Sequence, residues 1–144
     1  MVSYDELYEF LRKEKGTEKL QSIPKDFIEQ FSFYMKDMRK KFSHENIFSD
    51  DLVKDKKQYE NAMAIFKELI LRRKKKILEL VFIAAETGIM KKDFVDMLSF
   101  EKDLFEKVVL AVEGADKSLA DLLNGKNSKI GKTVLVKDGI EQFV

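Results

Sequence analysis

Cysteine is absent from this chain, so disulfides and thiolate metal sites are excluded. Histidine occurs once, at His44 in a polar stretch beside Glu45, and one imidazole is too few for a zinc site. Charge of either sign in excess is missing as well: 27 basic residues face 26 acidic ones, so net charge does not favour generic binding to nucleic acid. No apolar run approaches the ~20 residues needed to span a bilayer. The N-terminus, MVSYDELYEF, lacks the basic and then apolar regions of a secretory signal. A cytoplasmic protein without a membrane partner is expected. There is also no Gly-rich phosphate loop, no Cys nucleophile and no His–carboxylate set at metal spacing. GKNSKIGK (residues 125–132) lacks the spacing of a P-loop. Asp50, Asp51 and Asp55 read as a solvated first helical turn favoured by the helix dipole. No catalytic residue, metal or cofactor is expected, and the chain does not read as an enzyme.

With one proline and six glycines in 144 residues, little interrupts helices, and Lys, Glu and Asp are abundant. The length suits one compact domain. Ser3 and Glu6 form a capping box for a first helix over 4–15, stopped by Gly16. Pro24 suits the first turn of a second helix, which carries Phe27, Phe31, Tyr34, Met38 and Phe42 at spacings of three and four. Ser49 can cap a third helix that meets no Gly or Pro before Gly88. Either its polar N-terminal end, DLVKDKKQYE, projects from the bundle or the helix kinks. A short helix with Phe94, Met97 and Leu98 follows, and Ser99 can cap the next. The expected fold is all-α: a helical bundle with long amphipathic helices over residues 1–124, a linker over 125–132, and a short β stub over 133–144. In that stub TVLV is a strand signal with no partner strand in the chain.

The stretch LRRKKKILEL (71–80) contains five consecutive basic residues, Arg72 to Lys76. On a helix of 3.6 residues per turn, five residues go all the way round, so they cannot form a one-sided basic patch. The apolar residues Tyr59, Ala62, Met63, Leu69, Ile70, Ile77, Leu80, Val81 and Ala84 cluster within about 60° of Phe66. Arg73 falls about 20° from the centre of that stripe, Arg72 and Lys75 point away, and Lys74 and Lys76 flank it. A guanidinium on a core face needs a carboxylate or carbonyls, because an unpaired buried charge costs several kcal/mol. Glu101, in the first turn of the following helix, is the expected partner. A nuclear-localisation signal is disfavoured, since it would have to be accessible.

The aromatic and aliphatic stripes have two readings. Phe27, Phe31, Tyr34, Met38, Tyr59, Phe66, Leu69 and Ile70 serve as intramolecular core, or in part as a subunit interface, since the second and third helices are longer than a small bundle needs. A second functional class is direct binding of forked or single-stranded DNA through basic helix ends. Arg39, Lys40 and Lys41 would carry it, although basic residues at a helix C-terminus are also favoured by its dipole.

Taken in order, IPKDFIEQF, RRKKKILELVFIAAETG, LSFEKDLFEKVV and TVLVKDGIEQFV resemble the GINS family. Its members are replisome subunits that bridge the MCM helicase to its partners. The helix-first, strand-last order resembles the archaeal subunit type that pairs with a strand-first sister. The resemblance implies a non-enzymatic scaffold assembled as a hetero- or homotetramer through its helical domain, with DNA contact indirect or weak. It also implies a RecJ-like nuclease recruited through a small β domain. VLVKDGIEQFV is similar to the opening of that domain, which puts Val134, Val136 and Phe143 in the recruiting module. The chain departs from the family's pattern by stopping after Val144, so a shortened or reduced β module is expected. Localisation would follow the replisome: nucleoid-associated in an archaeon, nuclear in a eukaryote.

Overall fold

In the computed structural model, residues 1–44, 50–87 and 94–125 are described. Their main elements are four helices: α1 (Tyr4–Lys15), α2 (Phe27–His44), α3 (Asp50–Thr87) and α4 (Ser99–Leu123). Among the described residues there is no strand, and the fold is all-α. The linker from residue 126 on and the expected β stub, including Val134, Val136 and Phe143, lie outside the described residues. The chain divides into two compact units, Met1–Phe105 and Glu106–Val144.

Local chemistry sets the helix ends of the first unit. Ser3 accepts from the Glu6 amide and the Glu6 carboxylate accepts from the Ser3 amide, which closes the capping box of α1. The Gly16 amide donates to the carbonyls of Arg12 and Lys13. α2 begins three residues later than Pro24 suggests. The Pro24 carbonyl accepts from the Phe27 amide in a turn, and the helical ladder starts with Gln30 donating to Asp26. α3 is one unbroken α-helix of 38 residues, about 57 Å at 1.5 Å per residue. Its N-terminal end is not wholly polar in its surroundings: Leu52 is buried, and Tyr59 meets Phe42 of α2 edge-on at 5.4 Å. Phe94 and Val95 are helical, as expected, whereas Met97 and Leu98 are buried in the turn that follows, before α4. Ser99 is the first helical residue of α4, not its cap.

The core of this unit lies where α1 and α2 pack on α3. Val2, Leu7, Leu11, Ile23, Phe27, Phe31, Met35, Ala62, Leu69 and Leu98 form one buried cluster. Phe66 stacks on Phe31, with ring centres 4.0 Å apart, and more loosely on Phe27 at 5.9 Å, while Phe10 meets Phe27 edge-on. Phe27, Phe31, Met38 and Leu69 are buried; Tyr34, Tyr59, Phe66 and Ile70 are half-buried at the cluster's edge. In the second unit α4 runs on from Glu106 to Leu123. It closes with Asn124 donating to Ala120 and Gly125 to Leu122. Gly125 has φ 77°, a left-handed conformation that glycine adopts without a Cβ penalty.

Candidate functional site

Arg73 sits about two thirds of the way along α3 with 0% of its surface exposed. A guanidinium has five N–H donors, and here all five find acceptors. Nε and Nη2 grip the Glu101 carboxylate as a fork, at 2.9 and 2.8 Å. Nη1 donates to Glu14 Oε1 at 2.9 Å and to the Gln21 carbonyl at 2.6 Å. Nη2 also donates to the Asp96 carbonyl at 3.0 Å. Burial opposes the charged form, but the hydrogen bonds and charges of Glu101 and then Glu14 outweigh it. The guanidinium is thereby held above the ordinary arginine range.

The carboxylates are saturated in turn. Glu101 Oε1 accepts from the Leu98 amide at 2.8 Å, so the same side chain caps the start of α4. Glu14 Oε2 accepts from the Gln21 amide at 3.1 Å and from Lys76 Nζ at 2.6 Å. Lys76 also reaches the carbonyls of Glu14 and Lys19. Two cations and two carboxylates therefore balance inside the protein. They tie together the end of α1, the strap over residues 19–21, the middle of α3, the turn before α4 and the first turn of α4.

The structure brings Arg73 and Glu101 together. It also adds Glu14, which the reading of the sequence left out, and Lys76, which that reading placed only on the border of the stripe. From that border the Lys76 ammonium turns inward to the backbone and Glu14. Glu14 carried a usable signal, because it continues the stripe of Leu7 and Leu11 at spacings of four and three. The backbone acceptors of Gln21 and Asp96 carried none, since any residue supplies a carbonyl.

The rest of the basic run behaves differently. Arg72 pairs along the helix with Glu68 at 2.8 Å, and Lys74 and Lys75 are exposed. Arg39, Lys40 and Lys41 are exposed at the end of α2. A cleft of about 750 Å³ opens between the start of α2, the middle of α3 and the start of α4. Its floor is apolar, with Ile28, Phe66, Ile70, Leu98 and Phe100, and its rim carries Lys25, Lys74, Glu29 and Asp103. Lys25 ties this rim down by donating to the carbonyls of Val95 and Met97. Tyr34 has a hydroxyl buried without a partner among the described residues. Desolvation, followed by the nearby Tyr4 and Asp5, pushes its pKa up.

Among the described residues no group of three His, Cys, Asp or Glu could hold a metal. No described helix is long and apolar enough to cross a membrane. Comparison with protein-family profiles, with curated proteins and with solved structures finds no match. Arg73 and its partners hold the end of α1, the middle of α3 and the start of α4 together.

Proposed function

We propose that this chain is a non-enzymatic scaffold subunit of a GINS-type complex, linking an MCM helicase to a RecJ-like partner during DNA replication. The order of its motifs supports this reading. The observation that carries it is α3, one 38-residue helix fixed about two thirds of the way along by a saturated buried arginine. Beyond that point the helix leaves Leu78, Phe82 and Ile83 exposed. A rigid helix with unfilled apolar surface is built to receive other chains. The partners would be a sister subunit, in a hetero- or homotetramer, and the helicase. The RecJ-like nuclease would be recruited through a β module opened by Val134, Val136 and Phe143, and the cell compartment would be that of the replisome. Light scattering on the chain, alone and mixed with candidate sister subunits, tests this. A defined multiple of the 16.8 kDa chain mass is expected. A monomer that ignores every replication partner would overturn it.

A second reading rests on Arg39, Lys40 and Lys41, which are exposed together where α2 ends. Under it the chain binds forked or single-stranded DNA directly. Several phosphate contacts would make affinity fall steeply with salt, and no binding at low salt would remove this reading.

A further inference from the structure

Asn124 is exposed where α4 ends, and Gly125 follows it. It is the one Asn–Gly pair in the chain. The side-chain amide of an asparagine is an electrophile within reach of the next residue's backbone nitrogen, because attack closes a small imide ring. Three features of this place favour that attack. Gly125 has no side chain to shield its nitrogen and little to restrict its backbone. The space around it is open, since a Cβ added there would meet nothing within 4 Å. Its N–H is held only by the Leu122 carbonyl, at 3.2 Å, and helix ends fray at a free-energy cost near zero. Asn61 is the contrast within the same chain. It is exposed too, but it lies inside α3, and the Ala62 that follows it is buried and carries a Cβ. The continuous helix keeps the Ala62 nitrogen away from the Asn61 side chain.

We propose that Asn124 is a site of spontaneous covalent modification, a slow timer at the end of α4. The deprotonated Gly125 nitrogen attacks Asn124 Cγ. The N–Cγ bond forms, the Cγ–Nδ2 bond breaks, and Nδ2 leaves as ammonia with the proton that Gly125 gave up. Water then opens the succinimide at either carbonyl. Opening at Cγ leaves aspartate; opening at the main-chain carbonyl leaves isoaspartate, with the backbone running through the former side chain. No oxidant or cofactor enters. Either product puts a carboxylate at the negative end of the helix dipole, in line after Asp121 and beyond a last turn that has no basic residue. Isoaspartate also lengthens the backbone, which disrupts the bonds from Asn124 to Ala120 and from Gly125 to Leu122. The last turn of α4 should loosen as the protein ages. The inference does not rest on the scaffold reading.

The test is to incubate the full chain in mildly alkaline buffer and follow its peptides by mass spectrometry, with fragmentation that separates aspartate from isoaspartate. The Asn124 peptide should convert from amide to acid, with isoaspartate present, while the Asn61 peptide stays intact. Gly125→Ala should slow the conversion several-fold or more, because a Cβ hinders the attacking nitrogen. Asn124→Gln should abolish it, since the longer side chain closes its ring far less readily. Unfolding in urea should speed it only modestly, because the native helix end already frays. Hydrogen exchange on the aged chain should show faster exchange at residues 120–125 than on the fresh chain, with α3 unchanged. An Asn124 that survives in the native chain while the unfolded chain converts would overturn the proposal. So would aspartate formed without isoaspartate, or a Gly125→Ala chain that converts as fast as the original. Unchanged exchange at the end of α4 after full conversion would overturn the loosening.

Discussion

Two positions separate Arg73 from Lys75, and their surroundings have nothing in common. Arg73 has no contact with solvent and five acceptors for five donors. Lys75 stands exposed on the far side of the same helix, without an ion pair among the described residues. Both carry one positive charge in the same run of five. The difference shows that local charge density says little about role; the helical phase of each residue decides. It also shows why the inner position is an arginine. Lysine offers three donors from one atom and could not bridge two carboxylates and two carbonyls at once. A buried ion cluster of this kind contributes little net stability, because desolvation offsets its attraction. The arrangement of α1, α3 and the start of α4 seen here satisfies every member and ties these segments together.

The largest expected break in this comparison is Arg73→Ala. It leaves Glu101 and Glu14 buried with part of their bonding gone, and should cost about 3–5 kcal/mol, enough to unfold a marginal domain. Urea unfolding of this variant beside Lys75→Ala measures the contrast. Arg73→Lys should fall between them. Next come the two carboxylates. Glu101→Gln loses half of a bidentate pair and weakens the cap on Leu98, so it should cost about 2–3 kcal/mol. Glu14→Gln should cost less, since Lys76 can keep its two carbonyl acceptors. The reverse ranking in melting experiments would mean that the fork to Glu101 is not the principal bond.

Much of the inner face was legible from periodicity. Arg73 stands out because it falls in a stripe of nine apolar residues centred on Phe66, and Phe27 and Phe31 follow the same rule on α2. The reading stopped short at Glu14, to which it gave no role although that residue shares the phase of Leu7 and Leu11. It stopped short again at Lys76, because a residue on the border of a stripe can turn either way and only the strap over 19–21 decides. On α2 Met35 is buried as well as Met38, a position the spacing of Phe27, Phe31, Tyr34 and Met38 left out. Leu71, Leu78 and Phe82 also line up on the exposed side of α3, but a helix with two apolar lines looks merely hydrophobic until packing shows which line is filled.

Smaller effects sharpen the picture at its edges. Tyr34 has a raised pKa in the folded protein, so its share of stability is complete below the ordinary value of 10.0 and is lost as pH climbs past it. Tyr34→Phe should remove that alkaline loss and, by deleting a buried hydroxyl without a partner, leave stability unchanged or raise it by up to about 1 kcal/mol. Arg73 titrates higher still and should leave the profile flat through neutrality. On the acid side Glu9 and Glu68 have lowered pKa values, set first by their bonds to Arg12 and Arg72. Their contributions hold above 4.5 and fade as pH drops through the lowered values, but both are surface pairs and the loss should be slight. A melting-temperature series from pH 3 to 11 tests all three signs. Smallest of all, Lys75→Ala should change stability by no more than about 0.5 kcal/mol.

The central claim is that Arg73 of α3 and Glu101 of α4 act as one unit. A double-mutant cycle of Arg73→Met and Glu101→Gln, read by urea unfolding, isolates that coupling. The account predicts a coupling of about 2–3 kcal/mol, with the double variant scarcely worse than Arg73→Met alone. Additive losses, with coupling near zero, would contradict it.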